Sequence, residues 1–169
     1  VLVLVRSRFA YDILKPSFAR HEIERRYRAI VVGSPPAEEG TLRHRLVERR
    51  GRVIEAHPKE AEGKDAISHY RVIERRSTPA EGTPSRVSLL ELALETGRRN
   101  QIRVGCAVEG FPILGDATYG EPSDRIGRPA LHARVLGFLH PRSGEPLRFE
   151  TEEPADFRAA WNSFSPDEA

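Results

Sequence analysis

Apolar positions along this chain fall mostly on a period of two. Residues 24–32 place Tyr27, Ala29 and Val31 on one face and Arg26, Arg28 and Ile30 on the other, the alternation of a half-buried strand that Gly33-Ser34-Pro35-Pro36 ends. Residues 42–46 and 52–54 read as the two arms of a polar hairpin turning near Arg50-Gly51. Beyond a charged loop over 58–65, strands over 66–74 and 87–94 flank the turn-rich segment 78–84 and are expected to pair antiparallel. Two more strands are expected over 130–139 and 147–150.

Helical spacing replaces alternation in a few places. Ser7 caps a short helix carrying Phe9, Ile13 and Leu14, which Pro16 should end or kink, and a second short helix is expected over 17–23. Gly97 releases the chain into a helix over 98–109, with Ile102 and Cys106 on its buried side, Arg99 and Arg103 together on another, and Gly110 as its stop. Residues 111–124 form a loop studded with Gly115, Gly120 and Pro122, and Pro154 starts a closing helix with Phe157 and Trp161. No repeat appears. Together these elements predict one mixed α+β domain, residues 1–169, around a largely antiparallel sheet flanked by helices and loops.

The opening run Val1-Leu2-Val3-Leu4-Val5 is continuously apolar, as in a strand buried on both faces. With no initiating methionine, no basic signal-peptide start and no cleavage site, it is expected to belong to a fragment of a longer protein.

Composition narrows the class of protein. The chain has 169 residues, enough for a core without disulfides or metals, and no stretch approaches the roughly 20 apolar residues that a membrane helix needs. Its one cysteine, Cys106, has no partner, which points to a reduced, cytoplasmic setting. The six histidines lie far apart without close cysteine or carboxylate neighbours, so no metal is expected. Net charge is only +2, yet 24 of the 27 basic residues are arginine. Planar guanidinium groups suit phosphate and stack on bases, as an RNA-binding surface requires. A GC-rich genome also replaces Lys by Arg everywhere, and composition alone slightly favours that duller reading.

The most specific stretch settles the balance. Thr96-Gly97-Arg98-Arg99-Asn100-Gln101-Ile102-Arg103 is followed by Gly110-Phe111-Pro112-Ile113-Leu114-Gly115-Asp116 and Tyr119-Gly120; then come Arg128-Pro129-Ala130-Leu131-His132-Ala133, Phe138-Leu139-His140-Pro141 and Ser143-Gly144. In order and spacing these resemble the elements T-G-R-x-H/N-Q-I-R, G-x-P-I-x-G-D, Y-G, R-x-x-L-H-A and HP-x-x-G of the RluA-type RNA pseudouridine synthases. Upstream, Arg25-Arg26-Tyr27 resembles that family's K/R-x-Y strand. Ordered elements spread over nearly the whole chain are far more specific than one short motif.

The resemblance implies a cofactor-free isomerisation, in which uracil is detached from its ribose, turned and rejoined through carbon 5. It implies an arginine, here Arg103, that pairs with the catalytic aspartate, keeping a half-buried carboxylate ionised and aimed. It also implies a tyrosine, here Tyr27, that stacks on the target base and is placed to take the carbon 5 proton. Arg98, Arg99, Asn100 and Gln101 are the expected RNA contacts, the two arginines toward phosphate. Each residue has a plainer reading. Arg103 suits a solvated helix face, Tyr27 suits core packing, and Arg98 and Arg99 suit helix solvation. Asp116 is expected to bond backbone amides in the glycine-rich loop, and His132 to be a hydrogen-bonded packing residue.

The family's aspartate lies in H-R-L-D-x-x-T-S-G ahead of a hydrophobic strand, so here it is expected a few residues before Val1. His44-Arg45-Leu46 mimics the motif, but Val47 stands in the aspartate's place. Gly105 departs from the usual histidine after I-R-V, and without a preceding strand Val1 to Val5 is an expected exposed edge. The expected partner is ribosomal or transfer RNA, bound by a monomer with no membrane and no small-molecule cofactor, and these 169 residues alone should turn over nothing. Two rivals stand beside this: a non-catalytic RNA-binding module, separable by the codons upstream of Val1, and a hydrolase built on Asp116.

Overall fold

The computed structural model describes residues 1–78 and 86–166. Its elements run α1 (Arg8–Ala19), β1 (Glu24–Val32), β2 (Glu39–Arg49), β3 (Arg52–Glu55), β4 (Lys64–Ser77), β5 (Arg86–Leu94), α2 (Gln101–Val108), β6 (Leu131–Leu139), β7 (Pro146–Glu150), α3 (Ala155–Asn162) and β8 (Ser165–Pro166). The strands form one sheet in the order β3-β2-β4-β5-β1-β6-β7, with β8 paired to β4, and the pairings among the described residues are antiparallel. This is the mixed α+β architecture with a largely antiparallel sheet that the alternation predicts. The turn expected over 78–84 lies, from residue 79 on, outside the described residues.

β1 holds a central place because both its edges are paired, to β5 from Arg26↔Ala93 to Val32↔Val87 and to β6 from Glu24↔Gly137 to Ala29↔Leu131. A bulge between Arg26 and Tyr27 on the β6 side adds local twist and re-aims the side chains there. Past Ala29, the glycine-rich loop takes over as a backbone partner. Leu114 N–H donates to the Ile30 carbonyl at 2.9 Å, Val32 N–H to Pro112 at 2.8 Å and Ala130 N–H to Leu114 at 2.8 Å. Residues 111–116 are thereby stitched to the sheet. Ile30, Leu90, Leu92, Ile113 and Phe157 are fully buried around this seam, and α2 lies against β2, β3 and β4. Truncating a side chain such as Leu90 or Phe157 to Ala is worth about 3 kcal/mol or more.

Three expectations about local structure are corrected. Val1 to Val5 is not a strand: Leu2 and Leu4 are 81% and 80% exposed, and the Val1 ammonium, bonded to the Ala133 carbonyl at 2.6 Å, ties the run to β6. A single backbone bond at Val1 does not make a ladder. Second, Pro16 neither ends α1 nor begins a new helix. The helix runs from Arg8 to Ala19 with Pro16 inside, and the Ser17 hydroxyl donates back to the Ile13 carbonyl at 3.3 Å, one turn earlier. No second helix covers 17–23, where His21 turns the chain at φ 62°. Third, α2 begins at Gln101 rather than at residue 98, because Asn100 sits in the left-handed region at φ 53°.

Candidate active site

The turn from β5 into α2 places the motif residues. Gln101 is 4% exposed, and its amide is used up inside the protein. Its Oε1 accepts from the Thr96 hydroxyl at 2.7 Å and the Arg98 N–H at 2.9 Å, while Nε2 donates to the Ile67 carbonyl and the Ser68 hydroxyl, both at 2.9 Å. All four bonding positions of the amide are filled. Gln101 is therefore a clamp between β4 and α2, with its amide committed inside the protein. Arg99 is also moved, since it precedes the helix and does not share a face with Arg103. Its guanidinium pairs with Glu48 on β2.

Arg103 projects from the first turn of α2 onto Asp116 in the glycine-rich loop. Nε donates to Oδ2 at 2.7 Å and Nη2 to Oδ1 at 2.6 Å, the two-point geometry that makes arginine–carboxylate pairs strong. Asp116 is fully buried and also accepts from the amides of Thr118 at 3.1 Å and Tyr119 at 3.3 Å. Burial pushes its carboxyl up, but Arg103 and the two amides outweigh burial and hold it below the ordinary aspartate range. The amide bonds are those the loop chemistry predicts; the bond to Arg103 is not. Sealed in this way, Asp116 cannot reach a substrate, which argues against a hydrolase that uses it.

Tyr119 completes the frame. Two guanidinium groups lie against its ring, Arg103 at 5.0 Å and Arg52 at 5.1 Å from the centroid. Its hydroxyl accepts from the Val53 amide at 3.3 Å and from Asn100 Nδ2 at 3.2 Å, and Asn100 Oδ1 accepts from Arg103 Nη1 at 3.3 Å. The β2–β3 hairpin is thus fastened to the segment around Asn100 and Tyr119, with Arg52 Nη2 donating to the Thr118 carbonyl at 2.5 Å. Asn100 adopts its left-handed backbone and uses its side chain here, bridging Arg103 and Tyr119. The Y-G motif flagged Tyr119 in the sequence but not what it touches.

Tyr27 reaches the same place from β1. Together with Leu94, Arg98, Asn100, Gln101, Ile102, Arg103 and Leu131 it lines a groove of about 180 Å³. Its ring is largely buried, and burial pushes the phenol pKa above its ordinary value, with Arg25 opposing the shift. Arg98 also borders a larger cavity of about 600 Å³, lined by Leu46, Val47, Val53, Lys64, Gly97 and Arg99 among others. Its Nε donates to the Asp65 carbonyl at 3.0 Å. Groove and cavity meet at the Gly97-Arg98 turn. Elsewhere, Cys106 is wholly buried with its thiol pushed up to about 12, which removes it as a nucleophile, and His132 Nε2 bonds the Thr151 hydroxyl at 3.1 Å. No group of three or more His, Cys, Asp and Glu side chains among the described residues could hold a metal, and no described helix is long and apolar enough to cross a membrane.

Comparison with known proteins places this geometry. A family model described as RNA pseudouridylate synthase matches residues 1–108. Ribosomal large subunit pseudouridine synthase D of Zymomonas mobilis is 38% identical over 94% of this chain and 50% of its own length. An RNA pseudouridine synthase of Chlorobaculum parvum is 36% identical over 92% of this chain and 51% of its own. This chain spans about half the length of the curated relatives it matches. Among solved structures, human RNA pseudouridylate synthase domain containing 1 superposes with a TM-score of 0.75 at 25% identity, over 95% of this chain and 66% of that one. Motif order, fold and relatives agree that the chain belongs to the RNA pseudouridylate synthase family, in its RluA-type branch.

Proposed function

We propose that these residues form the greater part of the catalytic domain of an enzyme that isomerises uridine to pseudouridine in ribosomal or transfer RNA. The observation that carries the reading is the convergence of Tyr27 from β1 and Arg103 from α2 on one groove. The reaction breaks the bond from N1 of uracil to the ribose, forms a bond from C5, removes the C5 proton and returns a proton to N1. No redox partner is needed. Tyr27 would stack on the turned base, with its hydroxyl near C5. For that hydroxyl to accept the proton it must first ionise, which a buried phenol resists unless a cation stands close.

The aspartate of the family motif would come from residues preceding Val1. The Val1 nitrogen lies 2.6 Å from the carbonyl of Ala133, the register partner of Tyr27, so a segment joined to Val1 would start beside β6, next to this groove. Arg103 is suited to receive a second carboxylate. A guanidinium has five N–H donors, and Asp116 and Asn100 take three. Asp116 would then hold and offset Arg103, while the free donors hold the catalytic carboxylate ionised.

Tritium release from RNA labelled at uridine C5 tests this. The expected result is no release from the 169 residues alone and robust release once the preceding segment is joined to them. Robust release from the shorter protein would show the nucleophile to be misplaced. RNA binding without release by the longer protein would favour a non-catalytic RNA-binding module.

A further inference from the structure

Arg25, on β1 two residues before Tyr27, stands apart from most arginines around it. Its Nη2 donates to the Glu95 carbonyl at 3.3 Å, and its guanidinium lies over the Phe18 ring at 5.8 Å. Nε is buried without any hydrogen-bond partner, and no carboxylate forms an ion pair with this side chain among the described residues. A half-buried, uncompensated cation is costly, and a folded protein keeps one where something else supplies the counter-charge.

Gly97 supplies the place for it. A Cβ on Gly97 would stand 2.3 Å from Arg25 Nη1, so the guanidinium occupies space that only glycine leaves open. This joins two motifs that are far apart in sequence, the basic residue of Arg25-Arg26-Tyr27 and the glycine of Thr96-Gly97-Arg98. Gly97 and Arg98 border the 600 Å³ cavity, and Arg98 also lines the Tyr27–Arg103 groove. A nucleic-acid strand running from one to the other passes Arg98 and the adjoining Gly97 turn, against which the Arg25 guanidinium packs. No base edge is needed for recognition there; a phosphodiester fits a guanidinium in two-point geometry.

Building on the functional reading above, we infer that Arg25 binds the RNA phosphodiester next to the target uridine, where the strand enters the Tyr27–Arg103 groove. Arg25 then both anchors the backbone and brings its charge beside the phenol.

The test uses the protein with the segment that precedes Val1 and a fluorescein-labelled RNA hairpin carrying one uridine in its loop. Binding is measured across a salt series, with tritium release in parallel. Removing one phosphate contact lowers the slope of log affinity against log salt by about 0.7 for single-stranded RNA. Arg25→Gln should show that loss of slope, and Arg25→Lys should retain it, since a point charge still neutralises phosphate. Gly97→Ala should reproduce the Arg25→Gln slope by displacing the guanidinium, and the double variant should lose no more than either single one. An unchanged slope in folded Arg25→Gln overturns the assignment, including the case where turnover falls, because Arg25 would then act through Tyr27 alone. A parent protein that neither binds the hairpin nor releases tritium overturns the functional reading along with this one; an active parent with an unchanged Arg25→Gln slope overturns only this one.

Discussion

The two faces of β1 carry the same kind of side chain in opposite circumstances. On the outer face, Arg28 lies 3.3 Å from Glu91 and 3.7 Å from Glu153, Arg26 bonds Glu24 at 2.9 Å, Arg71 reaches Glu91 at 3.2 Å, and Arg134 bonds both Glu150 and Glu153. That face is an ion-pair lattice whose charge is spent within the protein. On the other face, Tyr27 lines a groove, and Arg25 packs against the Gly97 turn beside it; among the described residues the Arg98 side chain bonds only a carbonyl, and Arg103 keeps two donors free. Availability for phosphate is set by carboxylate pairing and not by the number of arginines. An anion approaching the outer face must displace a glutamate; one approaching the groove displaces water.

This difference can be broken deliberately. The largest effect is expected from the groove's chemistry: in the protein with its preceding segment, Tyr27→Phe or Arg103→Met should lower tritium release by at least about 100-fold, the range lost with a proton-transfer group. Retained turnover in either variant would remove that residue from the mechanism. Next is Asp116→Asn, which keeps the shape of the loop but leaves Arg103 with an uncompensated charge. Urea unfolding at neutral pH should show a loss of about 3 kcal/mol.

The same residue gives a pH signature. Its carboxyl titrates lower in the folded than in the unfolded chain, so its contribution is complete above the unfolded value of about 3.9 and disappears as pH falls toward the folded one. The parent's stability should therefore fall in acid below about pH 4 more steeply than that of Asp116→Asn, and parallel curves would refute the ion pair's role.

Smaller still is Arg98→Ala, expected to cut the salt slope of RNA binding by about 0.7 with little change in stability. The smallest effect is the control on the outer face. Arg71→Ala, at a side chain 57% exposed and already paired to Glu91, should leave the slope unchanged and stability within about 0.5 kcal/mol. An Arg71 effect equal to that of Arg98 would erase the distinction between the faces.

Much of this molecule is legible without coordinates. Alternation located β1, the β2–β3 hairpin, β4 and β5 because a strand with one side on the core must repeat every two residues. Motif order pointed to Tyr27 and Arg103, and the structure brings both to one groove. Where α2 begins was not legible, since Asn100 is held left-handed while its side chain bridges Arg103 and Tyr119, a contact between separate segments. The internal commitment of the Gln101 amide was not legible for the same reason. A polar residue inside a motif looks available until the Ile67 carbonyl and the Ser68 hydroxyl are seen to claim it.

By itself, then, the sequence determined most of the strands, the motifs and the family they belong to, because periodicity and spacing are local properties of the chain. Only the tertiary structure decided which arginines remain free, that Asp116 secures Arg103, and that Gly97 makes room for Arg25. Each of these depends on which segment is folded against which, and Coulombic and steric terms fall off too quickly with distance for spacing along the chain to reveal them.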